Sequence, residues 1–130
     1  MKRSDGFTVI EIIVVIAFLG LATFLLLMQK DAINSGQRDA ARKTAVNAMY
    51  YNLEEVFYQK NGYYPMDIDS SVLKAMDPDL FNDPNGVTIN DADSDYRYDS
   101  TNCNGEKCKS YSLRAHLEKE ADYIKTSRNN

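Results

Sequence analysis

Gly6-Phe7-Thr8-Val9-Ile10-Glu11 opens an apolar run that reaches Met28, and the 22 residues from Phe7 to Met28 carry one charge, Glu11. At about 1.5 Å per residue, a helix of that length crosses a bilayer core of roughly 30 Å. The carboxylate is the anomaly. An unpaired ion at membrane depth costs at least ~2.5 kcal/mol on insertion scales, so an ionisable side chain there is by default functional and needs a partner. A secretory signal has a shorter apolar core, roughly 7–15 residues, with small residues at a cleavage site after it. Here no such site follows, and the polar-to-apolar junction precedes the run, at Lys2-Arg3-Ser4-Asp5-Gly6.

A short basic leader ending in Gly, then Phe, a Glu four positions further on and a long apolar helix resemble the type IV pilin superfamily, which includes pseudopilins of secretion and DNA-uptake machines. Gly6, Phe7, Thr8 and Glu11 match the pattern position by position. The resemblance implies a leader at 1–6, removed by a prepilin peptidase that cuts between Gly6 and Phe7 and methylates the new amine. It implies a transmembrane and filament-core half-helix at 7–28, and a soluble head at 29–130 that includes the amphipathic half of the helix. The implied partners are the peptidase, an assembly platform, an assembly ATPase and copies of the chain itself in a helical homopolymer. The implied location is the inner or cytoplasmic membrane as a single-pass precursor, then a cell-surface filament.

Physical chemistry gives Glu11 a matching task. With the leader gone, Phe7 carries an ammonium, and a neighbouring copy staggered along the helix axis can place that ammonium beside Glu11. A charge pair formed only on assembly makes the lone carboxylate costly and the assembled one tolerable, which favours polymerisation in register. Thr8 can assist through its hydroxyl. The rival reading is a single-pass, membrane-anchored extracellular binding module.

Outside the apolar run, roughly 100 residues remain, enough for one domain with a modest core. The net charge is −4, and −5 without the leader, because Lys2, Arg3 and Asp5 together contribute +1. Such acidity argues against general nucleic-acid binding, which needs clustered Lys and Arg. Lys2 and Arg3 hold the N-terminus on the cytoplasmic side and send the head outward. There Cys103 and Cys108 meet an oxidising compartment, where a disulfide is favoured over free thiols.

From Gln29 the sequence turns polar but stays helical in character, with no proline before Pro65. Val46, Met49, Leu53, Val56 and Phe57 keep the 3,4 spacing of one face. Asn61-Gly62 should cap a helix of about 55 residues, with Asn34-Ser35-Gly36 and Gly20 as weak points. Asn61-Gly62-Tyr63-Tyr64-Pro65 then leads into an extended aromatic segment and resembles a turn common after the long helix in the pilin superfamily. Ser70 or Ser71 is expected to cap a short helix to Met76, with loop from Asp79 to Asn85. Strands are expected at Val87–Ile89, Tyr96–Tyr98 and Ser110–Leu117, the last with Tyr111, Leu113, Ala115 and Leu117 on the helix-facing side. Glu118 to Asn130 reads as a loose tail in which Tyr123 and Ile124 dock. The fold class is therefore α+β, a long N-terminal helix packed against a small antiparallel sheet.

Other chemistry finds little footing. Two cysteines and one distant His116 do not make a four-ligand zinc site. Asp91, Asp93 and Asp95 alternate like the opening of a calcium loop, and some pseudopilins bind calcium in that region. An EF-hand would need Gly and Glu where this chain has Tyr96 and Asn102, so a solvated acidic loop is the better reading and no cofactor is expected. Lys30, Arg38, Arg42 and Lys43 read as a solvated basic face. No nucleophile motif or phosphate-cradling loop is visible, so no enzymatic activity is expected.

Overall fold

A computed structural model describes residues 6–129. They form two compact units, one through Ser35 and one from Gly36 onward. Helix α1 (Val9–Tyr51) carries the apolar stretch from Val9 to Met28 and continues into the second unit. Neither Gly20 nor Asn34-Ser35-Gly36 interrupts it, since a helical glycine costs only about 1 kcal/mol and the Ser35 hydroxyl is satisfied on the Asp31 carbonyl at 2.9 Å. In the first unit every side chain from Val9 to Met28 is exposed.

The second unit is α+β. α1 passes into a π-helical segment, Asn52–Tyr58, and a last turn, Gln59–Asn61. Gly62 closes it in the left-handed conformation (φ 72°), which glycine adopts without a Cβ penalty. Four strands follow: β1 (Tyr64–Pro65), β2 (Tyr96–Asn104), β3 (Lys107–Ala115) and β4 (Tyr123–Thr126). All pairs are antiparallel, and β3 is central. β2 runs along one edge of β3 from Tyr96↔Ala115 to Asn104↔Lys107. On the other edge, β1 pairs at Cys108 and β4 pairs from Ser112 to Ala115, so the two short strands share it.

The core forms where helix and sheet meet. Val46, Met49 and Leu53 lie against Tyr64, Tyr98, Tyr111, Leu113 and Ala115, and Leu117 is buried as its alternation requires. Each buried Val, Leu or Met side chain among them contributes roughly 1.5–3 kcal/mol by leaving water. The expected face fails at its end, because Val56 is exposed and Glu54 is buried. A π-helix bonds i to i+5, so its wider turn shifts which residues face the sheet.

The β2–β3 hairpin is tighter than the strand expectations. Gly105-Glu106 make a two-residue loop with φ 63° at Gly105, the glycine-favouring first position of a II′ turn. Cys103 and Cys108 are directly opposite and disulfide-bonded, with Cα atoms 3.9 Å apart. Closing so short a loop is worth about 2 kcal/mol in the chain-entropy account.

Four expectations need correction. Val87–Ile89 is not a sheet strand; only Thr88 forms an isolated bridge, to Asn82. No helix runs from Ser70 to Met76; the Asp69 carboxylate, not a serine, takes the Ser71 and Val72 N–H groups at 2.7 and 2.9 Å, and the backbone beyond it makes only turns. The expected loop from Asp79 to Asn85 opens inside a 3₁₀ turn, Pro78–Phe81, which buries Phe81. The C-terminal stretch is not loose, since β4 takes the open half of the β3 edge, with Tyr123 half-buried and Ile124 exposed. Leu113→Ala, at a fully buried site, should cost about 2–5 kcal/mol, read as a lowered denaturation midpoint of detergent-solubilised chain followed by near-UV tyrosine circular dichroism.

Candidate functional site

The N-terminal site begins at a helix cap. Thr8 immediately precedes α1, and its Oγ1 accepts the Glu11 N–H at 3.4 Å while its carbonyl accepts the Glu11 and Ile12 N–H groups at 3.1 and 3.2 Å. Thr8-Val9-Ile10-Glu11 thus has capping-box spacing, Thr at the cap and Glu three residues on. The Glu11 carboxylate sits in the first turn, where the helix dipole favours negative charge. Among the described residues it has no hydrogen-bond or ion-pair partner. Phe7 is 76% exposed. Gly6 has open space where a Cβ would go; residues 1–5 lie outside the described residues. The capping geometry is legible in the sequence as a Thr-x-x-Glu spacing.

The second unit organises two buried polar clusters. Arg42, expected on a solvated face, is 2% exposed. Its guanidinium donates to Asp39 (2.8 Å), to Asp95 through Nε and Nη2 (3.0 and 2.8 Å) and to Glu118 (2.8 Å). Arg38 clasps Glu118 through two bonds of 2.6 Å. Asp39 also accepts the Glu118 and Lys119 backbone N–H groups at 2.9 and 3.0 Å. The solvated-face expectation fails for Arg38, Arg42 and Lys43 because carboxylates from loops of the same head, Asp95, Glu118 and Glu120, fold against them. Burial raises the Asp39 carboxyl's pKa, yet the two backbone donors and Arg42 outweigh it and hold it below the usual carboxylate range. Burial acts likewise on Asp83, which the N–H groups of Asp95, Val87 and Asn85 hold low.

The other cluster surrounds Glu54, 2% exposed and placed inward by the π-helix. Tyr64 and Tyr111 hydroxyls each donate to it at 2.9 Å, and the Arg128 N–H donates at 3.1 Å. Burial, and then the Glu54 carboxylate, push the Tyr111 phenol well above its ordinary value, so it remains a donor. Burial, opposed by the Arg42 charge and aided by the Asp83 and Asp95 carboxylates, takes Tyr96 up to about 12. No sequence period pointed to Glu54, because α-helical spacing puts it beside the core face.

The structure does not gather the aspartates of the calcium-like stretch. Asp95 is committed to Arg42 and to Asn85 Nδ2 (3.3 Å), and the Asp91 carbonyl accepts from Arg97. Among the described residues, no group of three or more His, Cys, Asp or Glu is placed to hold a metal. His116 is exposed, with Nδ1 2.9 Å from Asp122. A groove of about 910 Å³ opens beside Phe57, Tyr63, Met66 and Val72, with Lys60 and Lys74 among its lining.

No protein-family model matches the chain, and no curated protein or solved structure matches it.

Truncating Arg42 leaves buried Asp39 without its charge partner, so Arg42→Ala should cost about 3–5 kcal/mol, while Arg38→Ala, on a half-exposed pair screened by solvent, should cost far less. Asp39 and Asp83 contribute stability that is full above the ordinary carboxylate pKa and lost as pH falls through their depressed folded values. Parent chain should therefore destabilise on acidification below about pH 4, and a pH series of thermal midpoints checks both statements.

Proposed function

We propose that the chain is the structural subunit of a type IV pilus or pilus-like filament, trimmed after Gly6 by a prepilin peptidase and polymerised through its apolar N-terminal helix. The observation that carries this reading is the Gly6-Phe7-Thr8-Val9-Ile10-Glu11 junction at the start of a helix long and apolar enough to span a membrane. The side chains of its apolar stretch, Val9 to Met28, are all exposed. An apolar face with nothing to bury it needs lipid or other copies of itself. Both are the successive environments of a subunit that waits in a membrane and is drawn into a helical bundle. The head supplies a separate folded unit with its own core, two buried polar clusters and a disulfide. The subunit would expose that head on a cell-surface filament and would need an assembly platform and ATPase. It performs no catalysis in this reading.

A second reading, an anchored extracellular binding module, draws on two observations. Thr8 and Glu11 have a capping geometry that asks for no second copy, and the head has an open groove of about 910 Å³.

Glu11 separates the readings. A capping box accepts Gln in place of Glu, whereas a charge pair does not. In the filament reading, Glu11→Gln and Glu11→Ala are both inserted and trimmed to Phe7, yet both fail to enter filaments efficiently, and Glu11→Asp is intermediate. Mass spectrometry of the mature N-terminus and electron microscopy of sheared surface filaments are the measurements. An intact Met1 on surface-exposed parent protein defeats the filament reading, and filaments of Glu11→Gln at parental yield defeat the charge pair alone.

A further inference from the structure

Charge is unevenly placed in the head. Between Asp67 and Asp99 there are nine aspartates against two cations, Lys74 and Arg97, a net −7 within a chain of −4. Among the described residues only Asp95 of the nine is in an ion pair. Asp91 and Asp93 are exposed. This acidic lobe lies along β2: the Asn90 N–H donates to the Tyr96 carbonyl at 3.2 Å, Asn90 Oδ1 accepts the Tyr98 N–H at 2.8 Å, and the Ser100 hydroxyl reaches the Met66 carbonyl at 2.8 Å.

On the opposite edge of β3, β4 and the facing helix carry a basic ridge built on two tyrosine rings. Lys125 Nζ stands 5.3 Å from the Tyr50 ring centre and 5.5 Å from that of Tyr123. Arg128 lies over Tyr50 at 5.2 Å and Lys43 over Tyr123 at 5.9 Å. Lys43 and Arg128 have carboxylate partners, Glu120 and Glu55. Lys125 has none among the described residues, so three cations face two carboxylates. Ring faces hold these cations in place, which lowers the entropy cost of using them in an interface.

From this segregation we infer a heterologous contact between heads, acidic lobe of one copy on the basic ridge of the next; it rests on the filament reading. Two different, complementary surfaces on opposite sheet edges generate an open, head-to-tail series, whereas a self-complementary patch would close a dimer. Each exposed pair is worth little alone, and the contact acts mainly by fixing register and rejecting like-charged juxtapositions. Salt weakens it, since screening sets in beyond roughly 8–10 Å at 0.1–0.15 M.

The test uses full-length chain in neutral detergent, with head association read by lysine-independent photocross-linking and sedimentation at low and high salt. Lys125→Glu with Arg128→Glu makes both surfaces acidic, and Asp91→Lys with Asp93→Lys makes the tested faces basic. Each doubly substituted chain alone should associate about tenfold more weakly than the parent at low salt, a change of about 1.4 kcal/mol. An equimolar mixture of the two should recover parental association, because each variant then offers the charge its partner lacks. Recovery on mixing is an outcome that misfolding of either variant does not produce. Parental association by either variant alone, or no recovery on mixing, overturns the contact while leaving the filament reading standing. A parent chain that remains monomeric at low salt also overturns the contact, and the filament reading is then decided separately by the mature N-terminus and the surface filaments.

Discussion

The head closes on its helix through one guanidinium. Arg42 reaches Asp39 on its own helix, Asp95 just before β2 and Glu118 beyond β3, so three segments far apart in sequence meet on a group with five N–H donors in a fixed fork. A lysine could not span them with the same geometry. The aromatic and aliphatic core supplies most of the burial, but it is non-directional. The ion cluster adds direction, tying the start of the head's helix to the open end of the sheet's long hairpin, where β2 begins and β3 stops. Glu54, Tyr64, Tyr111 and the Arg128 backbone do the same for the other end of that helix and the C-terminal stretch. Apolar packing holds helix and sheet together, and two polar clusters fix where along the helix they meet.

Residues whose role follows from periodicity were legible in the sequence. Tyr111, Leu113, Ala115 and Leu117 alternate and are buried, Val46, Met49 and Leu53 follow helical spacing and are buried, and Gly62 ends the helix where its φ requires a glycine. The apolar run is visible from composition alone. What stayed hidden depends on contacts made across long sequence separations. Arg42 reads as one of four basic residues on a polar helix until Asp95 and Glu118, 53 and 76 residues away, are brought beside it. Glu54 is inside only because the helix widens there, and β4 is a strand only because β1 leaves half of an edge open.

The acidic excursion illustrates a different kind of hidden order. Most residues between Tyr64 and Tyr96 form no helix or strand, yet Ile68, Leu73, Met76, Phe81 and Ile89 are buried. Asp69, Asp77 and Asp83 take nearby backbone N–H groups, so side-chain carboxylates replace the ladder bonds that regular structure would supply. The same aspartates that organise the loops give the lobe its charge. Local conformation and surface electrostatics are therefore set by one residue type, and a change made for either purpose alters the other.

The π-helical segment Asn52–Tyr58 has a consequence for how this chain tolerates insertions and deletions. A wide turn accommodates one more residue than an α-helix would over the same rise. It is a slack point in an otherwise rigid spacer between Arg42 and Gly62. Losing one residue there would let the segment relax to ordinary α-helix while rotating Glu54 away from its two phenols. Losing one residue earlier, between Arg42 and Met49, would find no such slack and would turn the entire apolar face off the sheet. Length variation in this helix is thus confined to a few positions by geometry.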